Sequence, residues 1–179
     1  MSPSATVYSF EIALSDVNRS VYEELSLKIA QHPSETLDYL ITRVLAFCME
    51  YEDGISFSQG LNDPDVPALW IHDLTQTITH WIEVGAPSAE RLHKASKKVP
   101  RVSIYTYKDP TLILHNVEGD LIHRKEEILL FSFSRSFLEE VAHTTQKRNC
   151  WSVSVNEDQL YLGINGQTIC GTVGKTRLS

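Results

Sequence analysis

The spacing of hydrophobic residues between positions 34 and 105 constrains the fold more than any other feature of the sequence. Apolar residues three or four apart follow Ser34 and end before Gly54, which predicts a buried helix. Three short segments typical of strands come next, followed by a second helical segment and one more strand. The predicted order is helix, three strands, helix and strand, which favours an α/β fold with helices flanking a mixed β-sheet.

Most boundaries of these elements follow from turn and cap residues. Ser34 and Ser88 are the predicted N-caps of the two helices, because a serine hydroxyl can accept a hydrogen bond from a free backbone amide in the first turn. The second helix is expected to end at about Lys98, and residues 60–65 form a loop by composition. The predicted strands are Ile55–Phe57, Ala68–Asp73, Ile78–Val84 and Val102–Tyr105.

Two further regions extend this core. Apolar residues alternate from Tyr8 to Leu14 and again from Val21 to Ile29, which predicts an N-terminal β-hairpin. The C-terminal region is predicted to form an α/β segment with helices at Thr111–Val117 and Arg135–Gln146, strands at Ile128–Phe133, Trp151–Val155 and Gln159–Ile164, and a last strand after the Asn165-Gly166 turn. The sequence contains no repeat and no linker, so we predict a single domain over residues 1–179.

Composition narrows the classes of function and location. The chain of 179 residues has a net charge of −7, which opposes broad binding to a phosphate backbone. Its three cysteines are far apart and form no Cys-x-x-Cys pair, which fits free thiols better than disulfides or a zinc site. The N-terminus has no signal-peptide pattern, and the longest apolar run, Val44 to Met49, is too short to span a bilayer. We therefore expect a cytoplasmic protein without membrane association.

One basic segment differs from this acidic background. Between positions 91 and 101 the sequence has no acidic residue, and its basic residues are Arg91, His93, Lys94, Lys97, Lys98 and Arg101. Most such runs are solvated helix faces. The alternative is a local patch that faces phosphate groups.

Glu83 is the strongest candidate for a functional residue. It lies in Trp81-Ile82-Glu83-Val84, a strand that is otherwise apolar. A buried carboxylate costs free energy unless a cation, a metal ion or a hydrogen-bond donor meets it. The alternative is an edge strand on which Glu83 points to water.

Several segments resemble the bacterial YaeQ family, and the element order is similar to the αβββαβ core of PD-(D/E)XK nucleases. The segments that carry the resemblance are His32-Pro33-Ser34-Glu35-Thr36, Phe57-Ser58-Gln59-Gly60-Leu61, Trp81-Ile82-Glu83-Val84-Gly85 and Glu90-Arg91-Leu92-His93-Lys94-Ala95. They cover the middle of the chain, from Gln31 to about Tyr107. The resemblance implies a bacterial protein with a nuclease-like fold.

The resemblance also implies a metal site, from which this sequence departs twice. Nucleases of this fold hold Mg²⁺ with two carboxylates, which activates a water molecule, and a nearby lysine stabilises the developing charge. Glu83 matches the strand carboxylate, but Gly85 occupies the lysine position, so Lys94 on the following helix is the candidate replacement. The other acid is expected fifteen residues before Glu83, where this chain has Ala68. Asp65 lies three residues further upstream, or about 10 Å along an extended chain.

Three hypotheses follow. The first is a binding or regulatory module on a nuclease-type fold, weak or inactive as a nuclease, with nucleic acid or protein as its partner. The alternative is a Mg²⁺-dependent nuclease with Glu83, Lys94 and Glu35 as catalytic residues and Glu83 and Asp65 as metal ligands. The third is an interaction domain without any nucleic-acid role. The candidate nucleic-acid-binding residues are Arg91, Lys94, Lys97 and Lys98.

Overall fold

The computed structural model describes residues 4–59 and 63–179. Within these residues the chain forms ten strands and four α-helices. In chain order they are β1 (Thr6–Asp16), β2 (Val21–Gln31), α1 (Leu37–Met49), β3 (Ile55–Phe57), β4 (Leu69–His72), β5 (Ile78–Val84), α2 (Ala89–Lys98), β6 (Arg101–Thr106), α3 (Pro110–Asn116), β7 (Leu129–Phe133), α4 (Arg135–Thr144), β8 (Arg148–Asn156), β9 (Gln159–Ile164) and β10 (Gln167–Arg177). None of the helices in the described part of the chain is long and apolar enough to cross a membrane.

The strands form one mixed sheet in the order β2-β1-β8-β9-β10-β7-β6-β5-β4-β3. The strands β5, β6 and β7 are parallel to one another, whereas β3, β4 and β5 are successively antiparallel. The long strand β10 joins the two halves of the sheet, because its first part pairs with β9 and its second part with β7. The predicted mixed sheet with flanking helices and the predicted N-terminal hairpin are therefore confirmed.

Helix α1 packs on one face of this sheet. It contacts β2 and β3, which are the two edge strands, as well as β5 and β6 between them. Every residue from Leu40 to Cys48 is buried, as expected for a helix that is covered on all sides. The sheet therefore curves around α1 to form the main core.

Helices α2 and α3 cover the other face of the sheet near β5, β6 and β7. There a second apolar cluster includes Trp81 of β5, Leu92 of α2 and Ile113 of α3. The strand β5 is thus covered on both faces, which explains its nearly continuous apolar sequence. It lies between β4 and β6, so Glu83 is on an interior strand and the edge-strand alternative is wrong.

The structure corrects some of the predicted boundaries. The N-cap of α1 is Thr36, whose Oγ1 accepts a hydrogen bond from the Tyr39 amide at 3.2 Å, and not Ser34, whose hydroxyl contacts His32 Nδ1 at 2.7 Å. Glu35 therefore precedes α1. The parallel pairing of β1 with β8 was not predicted, because it joins segments from opposite ends of the chain. Residues 60–62 of the predicted loop lie outside the described residues, as does the start of the N-terminus, residues 1–3.

Candidate functional site

A cavity of about 310 Å³ lies at the C-terminal end of β5, next to the first turn of α1 and the first turn of α2. Glu83 lines it together with two arginines, Arg43 of α1 and Arg91 of α2. The other described lining residues are Tyr39, Ser58, Pro64, Val66, Pro67, Ala68, Val84, Ala86 and Pro87. We call this space the Glu83 cavity.

Glu83 is 5% exposed and is bound by two hydrogen-bond donors. Its Oε1 accepts from the indole Nε1 of Trp81 at 2.6 Å and from Nε of Arg91 at 2.6 Å. Burial raises the pKa of the Glu83 carboxyl, while the Trp81 hydrogen bond and the Arg91 charge act in the opposite direction. The carboxylate that sequence analysis singled out therefore has its own protein cation.

Arg91 reaches Glu83 because of the way α2 begins. The Ser88 side chain caps the helix by accepting from the Arg91 amide at 3.2 Å, which places Arg91 in the first turn above β5. Its guanidinium also donates to the carbonyl oxygens of Asp63, at 3.3 Å, and Val66. Arg91 thus joins α2, β5 and the segment before β4, and its side chain remains 24% exposed.

A second buried ion pair lies on the α1 side of the cavity. Nη2 of Arg43 binds Oε2 of Glu35 at 2.6 Å, and their side chains are only 6% and 2% exposed. The Arg43 guanidinium also lies 5.5 Å from the ring centre of Tyr39. Burial raises the pKa of Glu35, and Arg43 opposes the shift. Within the described residues, Oε1 of Glu35 and Nε of Arg43 have no hydrogen-bond partner.

The carboxylates predicted to hold a metal ion do not come together. Ala68 immediately precedes β4 and lines the cavity, and the β4–β5 register that pairs Leu69 with Ile82 places it opposite Glu83. Asp65 is exposed and is not among the described residues that line the cavity. Its backbone amide donates to Oδ1 of Asp63 at 2.9 Å.

This donor set does not fit a magnesium site. Mg²⁺ prefers several oxygen ligands, usually including one or two carboxylates. Here Ala68 provides no ligand, and the guanidinium of Arg91 is already bound to Glu83. The described residues contain no group of three or more His, Cys, Asp or Glu side chains that could hold a metal ion.

The predicted lysines lie outside the Glu83 cavity. Lys94 is 65% exposed and binds Glu90 at 3.1 Å, one helical turn away. Lys97 and Lys98 are also exposed, in the last turn of α2, and neither forms an ion pair with the residues that the structure describes. Among the four candidate nucleic-acid-binding residues, only Arg91 lines the cavity.

Comparison with known proteins decides the family. The family model described as YaeQ protein matches residues 1–172. The chain belongs to the YaeQ family. A crystal structure of YaeQ from Pseudomonas syringae superimposes with a TM-score of 0.86 at 30% identity, covering 98% of this chain and 96% of the other. YaeQ from Xanthomonas axonopodis pv. citri gives a TM-score of 0.89 at 25% identity, covering 98% and 100%.

Two curated YaeQ relatives match over a shorter segment. The protein from Escherichia coli strain K12 is 33% identical over 107 residues, and that from Salmonella typhi is 31% identical over 107 residues. Both are described as an uncharacterized protein YaeQ. Each match covers 60% of this chain and spans 59% of the length of the curated relative.

Sequence analysis missed two features of this YaeQ-family site. Arg91 was a candidate for nucleic-acid binding, but its contact with Glu83 was not predicted, although its place just after the Ser88 cap could have indicated it. Arg43 and Tyr39 were not identified either. A lone arginine within the apolar stripe of a helix is the signal that a buried acidic partner is needed.

Proposed function

We propose that this YaeQ-family chain is a nucleic-acid-binding module on a PD-(D/E)XK nuclease-type core, with little or no Mg²⁺-dependent hydrolysis. The observation that carries the non-hydrolytic part of the proposal is the pairing of Glu83 with Arg91, opposite Ala68. The nuclease reaction would need the strand carboxylate of Glu83 to hold a metal ion. Here that carboxylate is paired with Arg91.

The alternative, a nuclease that uses Glu83, Asp65 and Lys94, has weaker support. Arg91 already places a positive charge against Oε1 of Glu83 through a charge-assisted hydrogen bond, so a Mg²⁺ ion at this carboxylate would meet electrostatic repulsion. Asp65 and Lys94 are both exposed, and neither is among the described residues that line the Glu83 cavity. Without a second carboxylate, the charge stabilisation that a metal ion supplies to phosphodiester cleavage would be weak.

The binding surface that we propose is the basic face of α2, defined by Lys94, Lys97 and Lys98. Arg124, from the segment after α3, lies next to this face, where it donates to the carbonyl oxygens of Ser96 at 2.7 Å and Val99 at 2.9 Å and pairs with Glu127 at 3.5 Å. Lysines on a helix surface can contact successive phosphate groups without reading the bases. Because the chain has a net charge of −7, a polyanion should bind at this local basic face in preference to the rest of the protein surface.

Binding of a labelled single-stranded DNA, measured by fluorescence anisotropy in a series of salt concentrations, tests the proposal. The double variant Lys97→Glu, Lys98→Glu should bind at least about tenfold more weakly, and its log–log salt slope should become shallower by about 1.4, because each phosphate contact that is lost contributes about 0.7 for a single strand. The matched control is Lys28→Glu, Lys147→Glu, which reverses two exposed lysines outside α2 and should bind like the unmodified chain.

The same mixture reports on catalysis. The labelled strand should stay intact in Mg²⁺ when analysed by gel electrophoresis. Equal weakening by both double variants would contradict the proposed surface, and absence of binding would favour an interaction domain without a nucleic-acid role. Mg²⁺-dependent cleavage that is lost in Glu83→Gln would contradict the non-hydrolytic part of the proposal.

We also propose the cytosol as the location of this module. Cys48, Cys150 and Cys170 are free thiols, and the last two are exposed. Exposed thiols persist best in a reducing compartment. The YaeQ relatives from Escherichia coli and Salmonella typhi are bacterial proteins, which agrees with this assignment.

A further inference from the structure

A second cavity, of about 480 Å³, lies at the other end of α1, beside Met49 and Glu50. It is separate from the Glu83 cavity, because the described lining residues of the two do not overlap. Its walls include the carboxylate of Glu50, the side chain of Tyr105 and the ring of Phe131. We call it the Glu50 cavity.

Glu50 is a nearly buried carboxylate that no cation of the described residues meets at hydrogen-bond distance. Its side chain is 11% exposed, and Oε1 accepts a hydrogen bond from the Tyr105 hydroxyl at 2.6 Å. The nearest cationic group in the described residues is Nη2 of Arg101, at 3.7 Å from Oε2. That distance is too long for a hydrogen bond, and the Arg101 side chain is 58% exposed. A buried charge in this state is incompletely compensated.

His80 lies next to Glu50, is not among the described residues that line the cavity, and does not supply a positive charge. The residue is fully buried, and its Nε2 lies 2.8 Å from the hydroxyl of Ser103. Its Nδ1 faces Oε2 of Glu50 at 3.7 Å and has no hydrogen-bond partner within the described residues. Burial lowers the pKa of His80 to about 3, so the ring is neutral and does not balance the Glu50 charge.

The remaining walls favour a ligand with a flat apolar body. Tyr105 and Phe131 stack with ring centres 4.6 Å apart and an angle of 13° between the planes. Met49 and Leu129 extend this apolar surface. Such a wall packs well against an aromatic ring or a short alkyl chain.

The rim of the cavity carries charges of both signs, including the cations Arg101 and Lys175. Glu157 and Asp158 line it, and neither side chain forms an ion pair with the described part of the chain. Arg19 also lines it, but its guanidinium is used by Asp16, at 2.7 Å, and by the Tyr51 carbonyl oxygen, at 2.7 Å. The exposed cation Lys175 also lines the cavity, and its Nζ lies 5.7 Å from the ring centre of Phe131.

We propose that the Glu50 cavity is a binding site for a small primary amine with a flat apolar body, such as an arylalkylamine. The ammonium group lies against the Glu50 carboxylate, and the apolar body packs on Phe131. Burial raises the pKa of Glu50, and a bound ammonium would keep its carboxyl ionised. This site does not depend on the proposed nucleic-acid binding.

The test is a titration of the isotope-labelled chain with 2-phenylethylamine, followed by two-dimensional ¹H–¹⁵N NMR. The uncharged analogue 2-phenylethanol, with the same body, is titrated in parallel. The amine should shift amide signals of residues that line the Glu50 cavity, and it should bind at least about tenfold more tightly than the alcohol, since only the amine pairs with a buried carboxylate.

Two variants test whether amine binding depends on the charge of Glu50 or only on the net charge of the chain. Glu50→Gln should weaken amine binding to the level of the alcohol, whereas Glu118→Gln, which removes an equal charge from an exposed surface residue, should leave it unchanged. Equal affinity for amine and alcohol in the unmodified chain would overturn the proposal. Shifts confined to residues away from the cavity would also overturn it, and this readout does not depend on whether Glu50→Gln folds.

Discussion

Glu83 and Arg91 carry opposite charges on neighbouring elements, and each reduces the cost of burying the other. The carboxylate is almost fully buried, whereas the guanidinium is about a quarter exposed, so Arg91 retains part of its hydration. The Trp81 indole supplies a further donor to the same oxygen. At the scale of single residues, removing Arg91 should therefore leave Glu83 with a larger uncompensated cost of burial than removing Glu83 would leave for Arg91.

The first prediction at this scale concerns Arg91→Ala. Removing one partner of a buried pair leaves an uncompensated charge, so the variant should lose about 3 kcal/mol of unfolding free energy at pH 7. Urea unfolding followed by tryptophan fluorescence measures the loss. The matched control is Arg135→Ala, which breaks an exposed pair with Glu139 and should cost less than about 0.5 kcal/mol.

The loss should depend on pH in a defined direction. Without Arg91, the folded-state pKa of Glu83 rises further above the ordinary value of 4.5, because burial is no longer opposed by the guanidinium. A group with a raised pKa binds a proton more tightly in the folded state, so acid stabilises the fold. The cost of Arg91→Ala should therefore be present at pH 7 and shrink as the pH falls toward 4.5. A loss that is constant over this range would mean that Glu83 is not the residue affected.

At the scale of elements, the start of α1 shows what sequence patterns can and cannot supply. The apolar stripe from Leu40 to Cys48 predicted the helix, but two hydroxyl residues, Ser34 and Thr36, precede it and both can act as a cap. The structure assigns the cap to Thr36, and Ser34 forms a local turn with His32. At the start of α2 only Ser88 was available, and there the predicted cap is confirmed.

This assignment predicts different effects for two similar substitutions. Thr36→Ala should cost about 1 kcal/mol of unfolding free energy, because the amide of Tyr39 loses its acceptor. Ser34→Ala should cost less than about 0.5 kcal/mol, as is usual for an exposed residue outside a cap. Both are measured by urea unfolding. A larger cost for Ser34→Ala than for Thr36→Ala would show that the helix begins earlier than Leu37.

At the scale of the whole molecule, the order of elements along the chain was predictable, but the pairing of strands that are distant in sequence was not. Hydrophobic spacing gave the helix, three strands, helix and strand order, since each of those elements is defined by residues close in sequence. The β1–β8 pairing and the division of β10 between β9 and β7 depend on contacts between distant segments, which leave no periodic signal. The same distinction between local and long-range information applies to the candidate site. Glu83 stood out in its own strand, but its pairing with Arg91 depends on how α2 packs against β5.

The central claim is that Arg91, and not a divalent metal ion, is the counter-ion of Glu83. Isothermal titration calorimetry of the purified chain with Mn²⁺, compared with the Glu83→Gln variant, tests it most directly. We expect neither protein to show saturable binding at the Glu83 cavity, so that the two titrations are the same. Stoichiometric Mn²⁺ binding by the unmodified chain that disappears in Glu83→Gln would contradict the account and restore the metal-dependent nuclease as the better hypothesis.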